Sequence, residues 1–223
     1  MAINKTPWLI ARQSAGNMTL RNVNGQNIAQ KKRESGTYTP SPETLGAQAA
    51  AAILWPIFRK AASTIRNSFT SRLAKQPAAS AWYKEQYNNV LGATPVITPV
   101  LDLDELTFGK GTMSLTTLND IDADVSDETV TIGWDVFSDD TVLATDRVSI
   151  ILINKDAADP IASMLQFSNV AARSATAYVA AVPTGWMSAG DVINAYLQFY
   201  GAPSTATAGT SSSTILLSEA AVA

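Results

Sequence analysis

The chain contains neither histidine nor cysteine, so carboxylates, cations, hydroxyls and amides are the side chains left to do chemistry. That removes Ser-His-Asp and Cys-His nucleophile systems, thiolate and imidazole metal sites, disulfides and redox switches together. In the run Asn119-Asp-Ile-Asp-Ala-Asp-Val-Ser-Asp-Glu128 acids recur at alternate positions, and hard carboxylate oxygens are what calcium takes. Asp120, Asp122, Asp124 and Asp127 are therefore the candidate metal ligands. The run departs from the EF-hand, with Val125 where the loop needs Gly and Thr131 where it needs a bidentate Glu. The plainer expectation is a solvated loop between strands. Paired carboxylates facing across a cleft would suit glycoside hydrolysis, but nothing singles out a pair. Gly109-Lys110-Gly111 lacks the Gly-Lys-Ser/Thr ending of a phosphate loop. Neither an enzyme nor a cofactor is expected.

The cations form a second grouping: Arg21, Lys31, Lys32 and Arg33 in one stretch, and Arg59, Lys60, Arg66 and Arg72 in another. A formal charge of -3 hides their distribution. Residues 1–100 hold twelve Lys/Arg and three acids, a net of +9, whereas residues 101–223 hold four and sixteen, a net of -12. Such asymmetry points to a complementary partner or to nucleic acid, although two ordinary solvated faces would look the same. The cations could neutralise DNA phosphates without regard to sequence. Alternatively, the basic half of one subunit docks on the acidic half of the next, giving head-to-tail contacts that close into a ring or continue as a lattice. The second reading is preferred, because aromatic platforms are not interleaved with the basic runs and the acidic half would repel nucleic acid. A third reading, a sugar-binding module, would use Trp186, Tyr196 or Tyr200, for which core placement is the alternative.

The elements that must position these residues change type along the chain. With 223 residues, 46% of them hydrophobic and 16% charged, one or two domains with a real core are expected. Met18 to Arg33 reads as a hairpin turned at Asn24-Gly25. Ser41-Pro42-Glu43 sets an N-cap, a first-turn Pro and an early acid in helix-starting order. Leu45, Ala49, Ala52 and Ile53 follow at helical spacing, then Pro56, which should kink or break the helix. Phe58, Ala62, Ile65, Phe69 and Leu73 continue an amphipathic face, with Arg59, Lys60, Arg66 and Arg72 on the outside. A third helical piece spans Ser80 to Leu91, presents Trp82, Tyr83, Tyr87 and Val90, and ends at Gly92.

Beyond residue 93 the pattern becomes short β-branched or alternating runs: 94–101, 105–108, 112–118, 129–134, 147–153, 175–182, 192–200 and 214–217. Seven or eight strands in this span predict an antiparallel immunoglobulin-like sandwich. The expected fold is α+β, with residues 1–92 as a basic arm, hairpin and kinked helices and residues 93–223 as an acidic sandwich. Trp8, Leu9 and Ile10 read as part of an arm that orders against a neighbouring subunit, with ordinary packing on their own domain as the alternative. No secretory leader is recognisable, and the apolar window from Ala47 to Phe58 is too short for a membrane span.

Several of these features together resemble an uncharacterised family, a domain-of-unknown-function group of Bacteroides-type bacteria and their phages and prophages. They are Gly16 with the Arg21–Gly25 hairpin, the Thr39-Pro-Ser-Pro-Glu43 helix start, Trp134-Asp135 with Thr145-Asp-Arg-Val148, Asn154 at a strand end, Val182-Pro183, and Gly190-Asp-Val192 followed by Tyr196. The resemblance covers nearly the whole chain, carries no catalytic residue, and implies a phage or prophage connection. The expected function is thus a structural protein of a capsid, tail or connector. Its partners would be further copies or other virion proteins, with DNA contact as the alternative, and its place the virion or else the bacterial cytoplasm.

Overall fold

The computed structural model describes residues 13–15, 18–23, 26–31, 40–91, 101–114, 119–135, 142–203 and 205–222. Chain contacts divide it into two compact units, Met1–Ser41 and Pro42–Ala223. The change near residue 92 is therefore one of secondary-structure type, since the helices before it share a unit with the sheets after it.

In the first unit, β1 (Gln13–Ala15), β2 (Met18–Val23) and β3 (Gln26–Lys31) form an antiparallel sheet in that order. Met18 faces Lys31 and Val23 faces Gln26. Arg21 lies on β2 and Lys31 ends β3, while Lys32, Arg33 and the Trp8-Leu9-Ile10 segment lie outside the described residues.

The second unit holds α1 (Pro42–Ser68), α2 (Ala78–Leu91), β4 (Asn119–Asp124), β5 (Thr129–Trp134), β6 (Arg147–Asn154), the one-turn α3 (Pro160–Ser163), β7 (Leu165–Ala172), β8 (Ala177–Ala181), β9 (Val192–Tyr200) and β10 (Ile215–Ala220). These strands make two antiparallel sheets, ordered β10-β9-β6-β7 and β4-β5-β8. Helices combined with antiparallel sheets make the fold α+β.

β6 and β9 explain the layering. Their sequences, Arg-Val-Ser-Ile-Ile-Leu-Ile-Asn and Val-Ile-Asn-Ala-Tyr-Leu-Gln-Phe-Tyr, are buried at nearly every position, the mark of strands covered on both faces. Val148, Ile150, Leu152, Leu197 and Phe199 pack with Ile121, Val130, Ile132 and Trp134 of the smaller sheet. From the opposite face Ile151, Ile153 and Tyr196 meet Leu54, Ile57, Phe58 and Ile65 of α1 and Trp82 of α2. The four-stranded sheet is thus a central layer between helices and a second sheet.

Three local expectations are corrected. α1 is one 27-residue helix that continues through Pro56, so the proline does not break it. An interior Pro costs about 3 kcal/mol, and the burial of Leu54, Ile57, Phe58 and Ile65 at about 1.5–3 kcal/mol each outweighs it. The buried stripe is Gly46, Ala50, Leu54, Ile57, Ala61, Ile65 and Ser68, so Leu45 and Ala52 are exposed. Leu73 lies beyond the end of the helix and is 77% exposed. Second, 119–124 is a strand rather than a loop: Ile121 and Ala123 are buried and alternate with exposed Asp120 and Asp122. Third, residues 105–108 form no strand, although Leu106 and Phe108 are buried. The expected strands at 94–101 and 112–118 fall largely outside the described residues.

Candidate functional site

The second unit brings charge together in two ways. The first is a cleft of about 500 Å³ where the end of α1, the start of β6, a bulge in β7 and the end of β9 meet; three arginines, Arg66, Arg72 and Arg147, line it. Arg66 sits in the last turn of α1, where the helix dipole favours a cation. Arg72 follows the helix, and its segment is pinned to Gly109-Lys110-Gly111: Thr70 and Ser71 both donate to the Lys110 carbonyl at 2.9 and 2.8 Å, and the Lys110 N–H donates to Ser68 at 2.9 Å. Gly111 is required there, because a Cβ would stand 1.9 Å from the Ser211 carbonyl oxygen.

Arg147 opens β6 opposite Tyr200. Its neighbour Asp146 is wholly buried and accepts hydrogen bonds from the Leu143 N–H at 2.7 Å and the Thr207 hydroxyl at 2.5 Å. Asp146 thereby ties the start of β6 to the 201–210 loop that forms the far wall. Gly201 lets that loop close: a Cβ would come 1.8 Å from the Thr207 carbonyl oxygen, while the Gly201 N–H donates to Thr210 at 3.0 Å. Tyr200, 8% exposed, forms part of the lining. Burial pushes its phenol above the usual value, while a hydrogen bond with Ser149 and the charge of Arg147 pull it back.

Among the described residues no carboxylate lines the cleft and none of the three guanidiniums is ion-paired. Like charges at contact distance repel by about 1 kcal/mol per pair in water. Other cations of the unit are engaged otherwise: Lys110 pairs with Glu85 at 2.6 Å and Lys155 with Asp104 at 2.9 Å, and Lys60 donates to the Ala162 carbonyl at 2.5 Å. Arg59 is exposed on α1 away from the cleft. Of the eight cations singled out from the sequence, the structure thus brings together Arg66 and Arg72. It adds Arg147, from the acidic half of the sequence.

The second grouping is β4. Asp120 and Asp122 are exposed on its outer face, with side chains of alternate residues about 7 Å apart along a strand. Asp120 accepts from the neighbouring Ile121 N–H at 2.9 Å. Asp124 turns the corner into β5, accepting from the Ser126 hydroxyl, the Ser126 N–H and the Asp127 N–H at 2.7, 2.8 and 3.1 Å. The Ser126 hydroxyl, followed by the Asp127 N–H, holds its carboxyl below the usual carboxylate value. Among the described residues no group of three or more acids stands where it could hold a metal ion.

The aromatic handles of the sugar reading are used internally. Tyr196 is buried and donates to the Leu103 carbonyl at 2.5 Å, and the half-buried Trp186 indole donates to Ser163 at 2.6 Å. No helix among the described residues is long and apolar enough to cross a membrane. No protein-family model matches the chain, and no curated protein is significantly similar to it.

Proposed function

We propose that the chain is a non-enzymatic structural subunit of a phage or phage-derived particle, assembled by docking the basic first unit of one copy on the acidic second unit of the next. The charge split between the compact units carries this reading. Met1–Ser41 has six Lys/Arg and one acid, a net of +5, and Pro42–Ala223 has ten and eighteen, a net of -8. Opposite signs on separate units of one chain favour a heterologous contact, which closes into a ring or propagates, and long-range attraction speeds the encounter.

The acceptor surface in this reading is β4, an edge strand with outward aspartates. Its end is partly covered by the last residues, through hydrogen bonds between Val125 and Val222 and between Val222 and Ala123. Charged edges resist pairing with their own kind and attract a cationic strand. The docking arm in this reading is the basic stretch that begins on β2, with Arg21, Lys31, Lys32 and Arg33. The two facing sheets are read as an immunoglobulin-like sandwich. The particle itself comes from the resemblance to phage and prophage proteins, and the virion is the corresponding location.

Size-exclusion chromatography with light scattering tests the reading. The Debye length is about 30 Å at 0.01 M salt and about 3 Å at 1 M, so a discrete oligomer at the lower ionic strength and a monomer at the higher are expected. A monomer under both conditions refutes it.

A further inference from the structure

We infer that the Arg66–Arg72–Arg147 cleft is a binding site for phosphate groups. The second unit carries eighteen acids against ten cations, yet the three cleft guanidiniums have no carboxylate partner among the described residues. Asn67 and Asn169 add two carboxamides to the lining. Thr70 and Thr210 do not add free donors: Ser211 gives its proton to Ser68, so the Thr70 hydroxyl turns to Ser211, and the Thr210 hydroxyl donates to Thr207. The recognition chemistry is therefore that of guanidinium forks and amides.

Asn169 supports a built site. It has φ 57° in the middle of β7, an edge strand of its sheet. The pairing shifts there, so that the step from Val148 to Ile150 on β6 matches the step from Ala171 to Phe167 on β7. Such bulges re-aim a side chain and recur beside functional sites, and a left-handed non-glycine persists only where its surroundings hold it. The far wall is fixed by the buried Asp146–Thr207 hydrogen bond.

Phosphate suits this donor set better than an acidic peptide does. Guanidinium forks bind its several oxygens in bidentate fashion, whereas a peptide needs apolar anchors in pockets. Tyr200 is the one large ring in the lining and is almost fully buried. The volume is that of a small-ligand site. Arg72 also lines a second cleft of about 560 Å³ with Lys84 and the paired Lys110 and Glu85; the phosphates belong either to a free small ligand or to a nucleic-acid backbone. The assembly contact uses the first unit and β4, so this inference stands or falls separately from it.

Calorimetric titration of the full chain with sodium pyrophosphate, and separately with a short oligothymidylate, tests the site at one fixed low ionic strength. One pyrophosphate per chain is expected, weakened roughly tenfold or more by Arg147→Gln and by Arg66→Gln. Arg59→Gln, on α1 outside the cleft, should stay within about twofold of the parent. Circular dichroism confirms that each variant is folded. An oligothymidylate that binds with the same sensitivity and displaces pyrophosphate identifies a polymer backbone as the source; pyrophosphate binding alone identifies a small ligand. Absence of binding by both probes, binding unchanged in both cleft variants, or tighter binding of a glutamate-rich peptide than of pyrophosphate overturns the inference.

Discussion

The arginine cleft and the aspartate strand are both clusters of like charge, but they are built differently. Arg66 and Arg72, from the end of α1 and the segment after it, meet Arg147 from a distant segment beside a buried carboxylate and a glycine-closed loop. Asp120 and Asp122 come from one strand and stand outward because Ile121 and Ala123 point inward, and Asp120 accepts from the N–H of its chain neighbour Ile121. Convergent charge depends on the whole fold and concentrates donors at one point. Alternating charge costs the fold nothing and spreads along an edge, which suits a broad, salt-sensitive contact.

That difference has consequences for stability. Asp146→Ala should have the largest effect, because it removes the buried acceptor shared by the Thr207 hydroxyl and the Leu143 N–H: about 3 kcal/mol lost, or roughly 6–12 °C in Tm for a unit of this size, read by urea and thermal unfolding. Gly201→Ala should follow at about 2 kcal/mol, since the loop must shift to clear the Thr207 carbonyl. The double variant Asp120→Asn/Asp122→Asn should lie within about 0.5 kcal/mol of the parent in the same assays. A loss several times larger would make the aspartates part of the fold and break the comparison.

A smaller effect concerns Asp104, whose carboxyl is held below its usual value first by Lys155 and then by Asn194. A depressed folded value means that its stabilisation is complete above the ordinary carboxylate range, about pH 4, and is lost as pH falls through the lower folded value. The side chain is half exposed, so the effect is modest. Urea unfolding at pH 6 and pH 3 should show a slightly smaller acid loss for Asp104→Asn than for the parent.

What could be read in the sequence was what repeats locally. The helix start at Pro42, the strands β5, β6 and β9, and the outward cations of α1 follow from short-range spacing. In the sequence β4 looks like a loop because its acids obscure a period of two carried by only two apolar residues, Ile121 and Ala123. β7 escaped notice because Leu165–Ala172 is only partly buried and its bulge breaks the alternation. The phase of α1 is hidden in the sequence because large Leu45 and Leu73 suggest one stripe, while the packing uses small Gly46, Ala50 and Ala61. The cleft could not be read at all: Arg147 joins Arg66 and Arg72 only after β6 pairs with β9 and α1 lies across that sheet. Pairing register and helix docking are tertiary facts that no local pattern carries.

The assembly contact is tested most directly by exchanging its charges. One variant carries Lys31, Lys32 and Arg33 changed to Glu, and a second carries Asp120 and Asp122 changed to Lys. Each should be monomeric alone in low-salt light scattering, because like charges then face one another at the contact. Mixed in equal amounts they should assemble, since the acidic arm of the first meets the basic strand of the second. Assembly by either variant alone at the parent's level, or a mixture that stays monomeric, would contradict charge-complementary docking.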